Sequence, residues 1–407
     1  MKIIYFSQFF IPESIAPAFR AWDNSRIWSL MGHKVTIFTG YPNYPIGRIF
    51  KGYTVKMIDE EKIDGVRVLR SKLIAKPNSS IINRLENAFS FFVFGLVNLL
   101  FNRKKIHNNY DVVLGTSGVI FTGLLAYIFA KLIKSPFIFE LRDITYRQLI
   151  ATGREKSSIS VRMMRKLELF LCQKAKYVVV VTTGFKKILI EDGICANKIF
   201  VITNGVDVEI EYEHKLSNKN FVLSYFGTLG ISQNIIDTFP YATAISKWCQ
   251  QYKYIIIGEG AQREEVQKEL EKKQYPYITL LPGMSVEDLE SYYKDTDLSV
   301  ITLRKSDDFK YTLPSKLFQV MGRGIAVLFI GPEGEASSII KKYNAGLTLT
   351  GTFDEDFKKL ETFFSCPDWK DKLYRMGQNG AAAVKKYYSR KKLALDYINV
   401  LETSIKE

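Results

Sequence analysis

Short, unbroken apolar runs rich in β-branched residues recur along this chain, and helical patterns lie between most of them. In the first half the runs are Lys2–Phe6, Val35–Thr39, Val66–Arg70, Val112–Leu114, Phe137–Leu141, Tyr177–Val181 and Ile199–Ile202. In the second they are Val222–Phe226, Tyr254–Ile257, Ile278–Leu281, Leu298–Thr302, Ala326–Ile330 and Gly346–Leu349. Runs of this kind form parallel strands covered on both faces, and strand–helix alternation with right-handed crossovers builds doubly wound α/β sheets. The pattern occurs twice, and 407 residues suffice for two such domains. We place the first at 1–208 and the second at 209–385, joined by the charged stretch Asp207–Asn220, which lacks a core pattern. Two doubly wound domains facing across a cleft take ligands at the carboxyl ends of their strands, so functional motifs should follow strands.

The charge is unevenly placed. Residues 1–208 carry 30 Lys and Arg against 15 Asp and Glu, whereas residues 209–407 carry 27 of each. The whole excess of +15 lies in the first half, which therefore faces something anionic. No recognition helix, zinc spacing or RNP-like strand supports nucleic acid. An anionic membrane surface fits better. Ser79–Phe101 is rich in Ile, Leu, Phe and Val, with Asn83, Asn87, Ser90, Asn98 and Asn102 marking a narrow polar stripe, and Arg103-Lys104-Lys105 follows at once. That suits either a helix lying at a headgroup layer or a buried helix of the domain, the strictly apolar runs being shorter than the roughly 18 residues of a span. Met1-Lys2 leads straight into the first strand without a signal-like segment, and Cys172, Cys195, Cys249 and Cys366 are scattered, which suits a reducing cytoplasm.

The second half carries the strongest site signal. Tyr311-Thr-Leu-Pro314-Ser315-Lys316 reads as a turn, a helix N-cap at Ser315 and a lysine in the first turn of a two-turn helix, stopped by Gly322 and Gly324. The macrodipole already makes that end positive, so a lysine there makes sense where an anion such as a diphosphate is held. Gly227-Thr228 follows one strand, Gly258-x-Gly260-x-x-Arg263 the next, and Pro282-Gly283-Met284-Ser285 the one after, with Ser285 and Asp288 as a capping box. Arg263 stands where a dinucleotide fingerprint would have its third glycine, and a guanidinium supplies a planar fork for phosphate. With Lys316 it would neutralise a diphosphate without a metal. Asp295-x-Asp297 precedes a strand, the wrong end for a ligand, while Asp307-Asp308 follows one. The loop Gly40-Tyr-Pro-Asn43-Tyr44-Pro-Ile-Gly47 reads as a rigid lip with aromatic surface for a sugar or lipid.

Taken in order, these residues resemble a known family. Ser7-Gln-Phe-Phe-Ile-Pro12-Glu13 to Arg20, Gly32-His33 to Gly40, Pro42-Asn43-Tyr44-Pro45-x-Gly47, Glu140-Leu-Arg142-Asp143, Asn204-Gly205-Val-Asp207 and the later motifs are similar to those of family 4 glycosyltransferases with the GT-B fold. Within it the chain resembles the bacterial branch that includes L-fucosamine transferases of O-antigen and capsule synthesis. Met376 to Leu401 resembles the C-terminal helix that crosses back to the first domain, here at about 386–407.

The resemblance implies a retaining, metal-independent enzyme with no cofactor. It would move a sugar, such as a 6-deoxy-N-acetylhexosamine, from a UDP-type donor to a lipid-linked glycan on the inner face of the cytoplasmic membrane. Arg263 and Lys316 would hold the diphosphate and Asp143 would border the transferred sugar. Gly227, Thr228, Gln233, Gly258, Gly260, Gly283, Met284, Ser315, Leu317 and Gln319 would line the donor. Ser14, Ala16, Arg20, Asn43, Tyr44 and Arg142 would line the acceptor. Gln319 and Tyr311 stand where the family often has acids, and Thr228 and Gln233 where it often has Arg and Lys. Two other readings stay open: a nucleotide-sugar epimerase on the same fold, and a non-catalytic nucleotide-sugar-binding subunit.

Overall fold

A computed structural model of the chain describes residues 1–78, 80–151, 154–207, 220–249, 251–273 and 275–406. Two compact units result, one formed by Met1–Asn204 with Arg390–Glu407, the other by Gly205–Ser389. The link expected at 207–220 lies almost wholly outside the described residues.

The first unit holds strands β1 (Lys2–Phe6), β2 (Lys34–Gly40), β3 (Ile58–Ile63), β4 (Val66–Ser71), β5 (Val112–Thr116), β6 (Phe137–Leu141), β7 (Tyr177–Val180) and β8 (Ile199–Val201). Their order across the sheet is β3-β4-β2-β1-β5-β6-β7-β8. All pairs are parallel except β3 with β4. The order reverses beside β1, so the loops after β1 and β5 flank this unit's topological switch point. The helix Arg390–Lys406 completes the core of this unit, where the Trp28 indole N–H donates to the Ala394 carbonyl at 3.0 Å and the ring meets Tyr397 edge-on.

The second unit holds β9 (Phe221–Phe226), β10 (Tyr252–Ile257), β11 (Ile278–Leu281), β12 (Leu298–Thr302), β13 (Ala326–Ile330) and β14 (Gly346–Leu349), ordered β11-β10-β9-β12-β13-β14 and parallel throughout. Here the order reverses between β9 and β12. Both units are thus α/β domains built on largely parallel sheets, as the apolar runs require.

The long helix Ile81–Phe101 is turned the other way from an ordinary surface helix. The Ser80 hydroxyl caps it by accepting the Asn83 N–H at 3.1 Å. Its polar stripe faces the protein. Asn87 donates to the Asn43 side chain and the Ile74 carbonyl, Ser90 accepts the Ile74 N–H, and Asn98 donates to the Met57 carbonyl and the Ser71 hydroxyl. Ala88, Phe91 and Leu99 are buried beside these amides, while much of its remaining apolar surface faces outward: Ile82 is 67% exposed, Leu85 53%, Phe89 54% and Phe101 80%. By length and composition the segment Ile82–Phe101 could cross a bilayer. The inward hydrogen bonds of its amides instead hold it flat on the domain.

Candidate functional site

At the switch point of the second unit the chain leaves β9 through Gly227 at φ +137°, a conformation that disfavours a side chain. A Cβ there would lie 2.1 Å from Nζ of Lys316, and one on Gly258 would lie 1.8 Å from the Gly227 carbonyl oxygen. The two glycines let the loops after β9 and β10 touch backbone to backbone, with Gly227 N–H donating to Ile257 O and Leu229 N–H to Glu259 O, both at 2.8 Å. Gly260 completes this contact, because a Cβ on it would lie 2.3 Å from the Leu229 carbonyl oxygen.

Lys316 lies in the first turn of the helix Ser315–Gly322. Pro314, not Ser315, is the N-cap, and no side chain closes that end. Proline's fixed φ and extended ψ suit the cap position, and Ser315 becomes the first helical residue with its side chain exposed. The helix therefore presents backbone N–H groups without a side-chain acceptor. Its lysine folds back over the Tyr225 ring, with Nζ 4.6 Å from the centroid, and donates to the Tyr225 hydroxyl at 3.1 Å. That hydroxyl donates in turn to the Thr228 carbonyl at 2.6 Å. Burial, with no carboxylate beside it among the described residues, lowers the Lys316 pKa to about 8. An ammonium held by a phenol and a ring carries positive charge that no ion pair among the described residues balances.

Arg263 opens the helix Arg263–Lys272, and its guanidinium is partly occupied: Nη1 donates to the carbonyls of Gly258 at 2.6 Å and Leu281 at 3.0 Å, and Nε stands 3.6 Å from Glu259. Glu259 also accepts the Gly283 N–H at 3.1 Å, so one acid joins the loops after β10 and β11. Met284 packs partly buried against the core beside the helix, and Gln233 accepts from Ser232. Gln319 is half-buried, while Leu317 is fully buried in the core and can offer a ligand only its backbone. Ser285 caps its helix through the Asp288 N–H, and Asp288 accepts the serine hydroxyl rather than closing a reciprocal box. Asp297 accepts the Val222 N–H at 2.7 Å, which makes it a strand-start clasp. Burial raises its pKa to about 6.

The first unit separates the residues grouped by motif. Arg20 is engaged by the fold. It pairs with the fully buried Glu140 at 2.8 Å and donates to the carbonyls of Ile202 and Thr203 and the Asn204 side chain. Glu140 also accepts the Tyr5 hydroxyl at 2.7 Å; burial pushes its pKa up, yet Arg20 and Arg142 prevail and hold it below its usual value. Asn43 is likewise buried and saturated, bonded to Glu13, the Tyr41 carbonyl and Asn87. The polar groups of Arg20 and Asn43 are thus engaged by the fold, and Asn43 also lines a cavity of this unit. Arg142 differs: its Nε and Nη1 are buried with no hydrogen-bond partner among the described residues, and burial lowers its pKa. Asp143 beside it is exposed in area, and the surrounding protein nevertheless raises its pKa against the opposing pull of Arg142 and Gln148. Ser14 and Ala16 lie exposed at the start of the helix Ala16–Leu30.

Glu13 stands in the first motif without an assigned role. It is buried and accepts the N–H groups of Phe10, Asn43 and Tyr44, clasping the loop after β1 to the loop after β2. An acid in an otherwise apolar and proline-containing loop was the available signal.

Residues 17–205 match the family described as Glycosyl transferase 4-like domain. The chain is similar to an uncharacterized glycosyltransferase of Methanocaldococcus jannaschii, 24% identical over 317 residues that make up 75% of this chain and 77% of that protein. It is 20% identical over 328 residues to the capsular polysaccharide biosynthesis glycosyltransferase CapM of Staphylococcus aureus, covering 76% of this chain and 80% of that one. The fold matches the Anabaena protein HepE in complex with UDP at a TM-score of 0.65 and 13% identity, over 99% of this chain and 100% of that one.

Proposed function

We propose that the chain, a glycosyltransferase whose residues 17–205 match the glycosyl transferase 4-like domain, moves a sugar from a nucleoside-diphosphate donor to a lipid-linked glycan at an anionic membrane surface. The observation that carries the donor half is Lys316, a buried cation without a carboxylate, set over a Cβ-less Gly227 at an uncapped helix end. The UDP bound by HepE, on the same fold, supports a uridine donor. CapM's part in capsule synthesis supports a surface-polysaccharide acceptor, and a 6-deoxy-N-acetylhexosamine is the sugar we favour.

In the reaction the bond from the anomeric carbon to the diphosphate oxygen breaks first. The leaving diphosphate is stabilised by Lys316, by the helix amides and by Arg263, which turns part of its fork from the Gly258 and Leu281 carbonyls toward phosphate. The acceptor hydroxyl attacks the same face, its proton passes to a donor phosphate oxygen, and configuration is retained. These groups supply the cationic charge, so the reaction proceeds without a metal. Asp143 stabilises the cation-like sugar or orients the acceptor. Arg142, buried and unsatisfied, contributes an anion contact in the first unit.

The membrane half rests on the inverted helix Ile81–Phe101 and the excess charge of residues 1–208. A peripheral enzyme on the inner face of the cytoplasmic membrane results. Incubation with a panel of nucleotide sugars and a bacterial lipid extract tests the whole reading. A labelled sugar should enter the lipid fraction with one donor only. Sugar isomerisation without lipid would favour an epimerase, and donor binding with no transfer would favour a binding subunit.

A further inference from the structure

A cavity of about 390 Å³ opens at the switch point of the first unit, between the loop after β1, the loop after β5 and the helix Ile81–Phe101. Its walls are chiefly apolar, with Phe9, Ile15, Val119, Phe121 and Met164 among them. Phe121 meets the rings of Phe89 and Phe92 on the inverted helix, both at 5.8 Å, and Leu85 belongs at once to the cavity wall and to the outward apolar face. The cavity is therefore continuous with the surface assigned above to the membrane. Two cations, Lys76 and Arg84, stand at its rim. Lys76 shares an exposed ion pair with Glu86 at 2.9 Å, and Arg84 reaches back to the Ser80 carbonyl at 3.4 Å, so both are weakly held and can turn to a stronger anion. Gln8, buried on the same wall, has an Oε1 without a partner among the described residues. The adjoining helix Ile120–Ile133 has no side-chain cap at its N-terminal end, where Val119 and Ile120 line the space.

We propose that this cavity binds the phosphate and the first carbons of the single chain of a lipid-anchored phosphate, the anchor of the acceptor substrate. Its volume is at the small end of ligand pockets, too small for a diacyl lipid and sufficient for a phosphate with a short length of chain. The chain enters past Leu85 from the bilayer side, the phosphate meets Lys76 and Arg84, and Gln8 accepts from a hydroxyl of the attached sugar. The proposal rests on the acceptor reading of the first unit and not on the donor site in the second.

Titration calorimetry with farnesyl phosphate, farnesol and inorganic phosphate, below the micellar concentration, tests it. The wild-type chain should bind farnesyl phosphate at least tenfold tighter than either of the others. The double variant Lys76→Ala/Arg84→Ala, changed only at the exposed rim, should lose about tenfold for farnesyl phosphate and little for farnesol. Leu85→Asp should weaken both. UDP stabilisation should be unchanged in every variant, which keeps a failure here distinct from a failure of the donor assignment. Equal binding of farnesyl phosphate by wild type and double variant overturns the proposal. So does loss of sedimentation with anionic vesicles in the double variant while farnesyl phosphate binding persists, since the cations would then serve only the bulk surface.

Discussion

Each unit carries a cation in a helix that follows a strand at its switch point, Arg20 after β1 and Lys316 after β12, and uses it in the opposite way. In the first, Arg20 is closed into a network with Glu140, Tyr5 and the carbonyls before Asn204, and every arm of its fork is occupied. In the second, Lys316 is buried against Tyr225 with no acid beside it, and its pKa falls to about 8. On the proposed reading a buried cation paired with an acid holds the fold, and one without an acid is kept for a ligand. The difference separates stability from function, and each variant below is a way to break it.

Arg20→Ala should have the largest effect. It leaves the buried Glu140 without its ion-pair partner, which costs about 3–5 kcal/mol. For a domain of this size that lowers the melting temperature by roughly 10 °C or more, read by calorimetry. If Arg20→Ala melts with the wild type while its acceptor affinity collapses, Arg20 belongs to the acceptor site after all. Lys316→Met should do the reverse. Removing an uncompensated buried charge leaves stability equal or higher, while UDP affinity and turnover fall by about a hundredfold or more. Unchanged turnover would remove Lys316 from the mechanism.

The pH dependence sharpens the same contrast. Burial has lowered the Lys316 pKa, so the ligand-free side chain loses its proton as pH rises through about 8. Only the ammonium attracts phosphate, and UDP affinity should therefore fall roughly tenfold between pH 7 and pH 9 in the wild type. The Lys316→Met variant should show little of that slope. The smallest effect on stability, and a large one on localisation, is expected for Phe89→Asp on the outward face of the long helix. Melting should shift by less than about 0.5 kcal/mol. Sedimentation with anionic vesicles, itself weakened by salt in the wild type, should drop severalfold.

Much of this was legible in the sequence. All thirteen expected strands are present because a strand buried on both faces must be continuously apolar. The missed one, β3, reads Ile-Asp-Glu-Glu-Lys-Ile and is an edge strand antiparallel to β4, with charged side chains in partly exposed positions. The stripe of Asn87, Ser90 and Asn98 was visible, but its direction was not. Periodicity defines two faces, and distant partners such as Asn43, Ser71 and Met57 decide which is inside. The same limit explains Arg20, whose carboxylate partner lies 120 residues away. The signal that singles out Lys316 is by contrast local: a cation in the first turn of a helix that follows a strand.

A crystal soaked with UDP would test the central claim most directly. The account predicts the β-phosphate within hydrogen-bond distance of Lys316 Nζ and of the N–H groups at the start of the helix Ser315–Gly322, with Gly227 beneath it. A nucleotide bound elsewhere, with Lys316 still turned onto Tyr225, would contradict it.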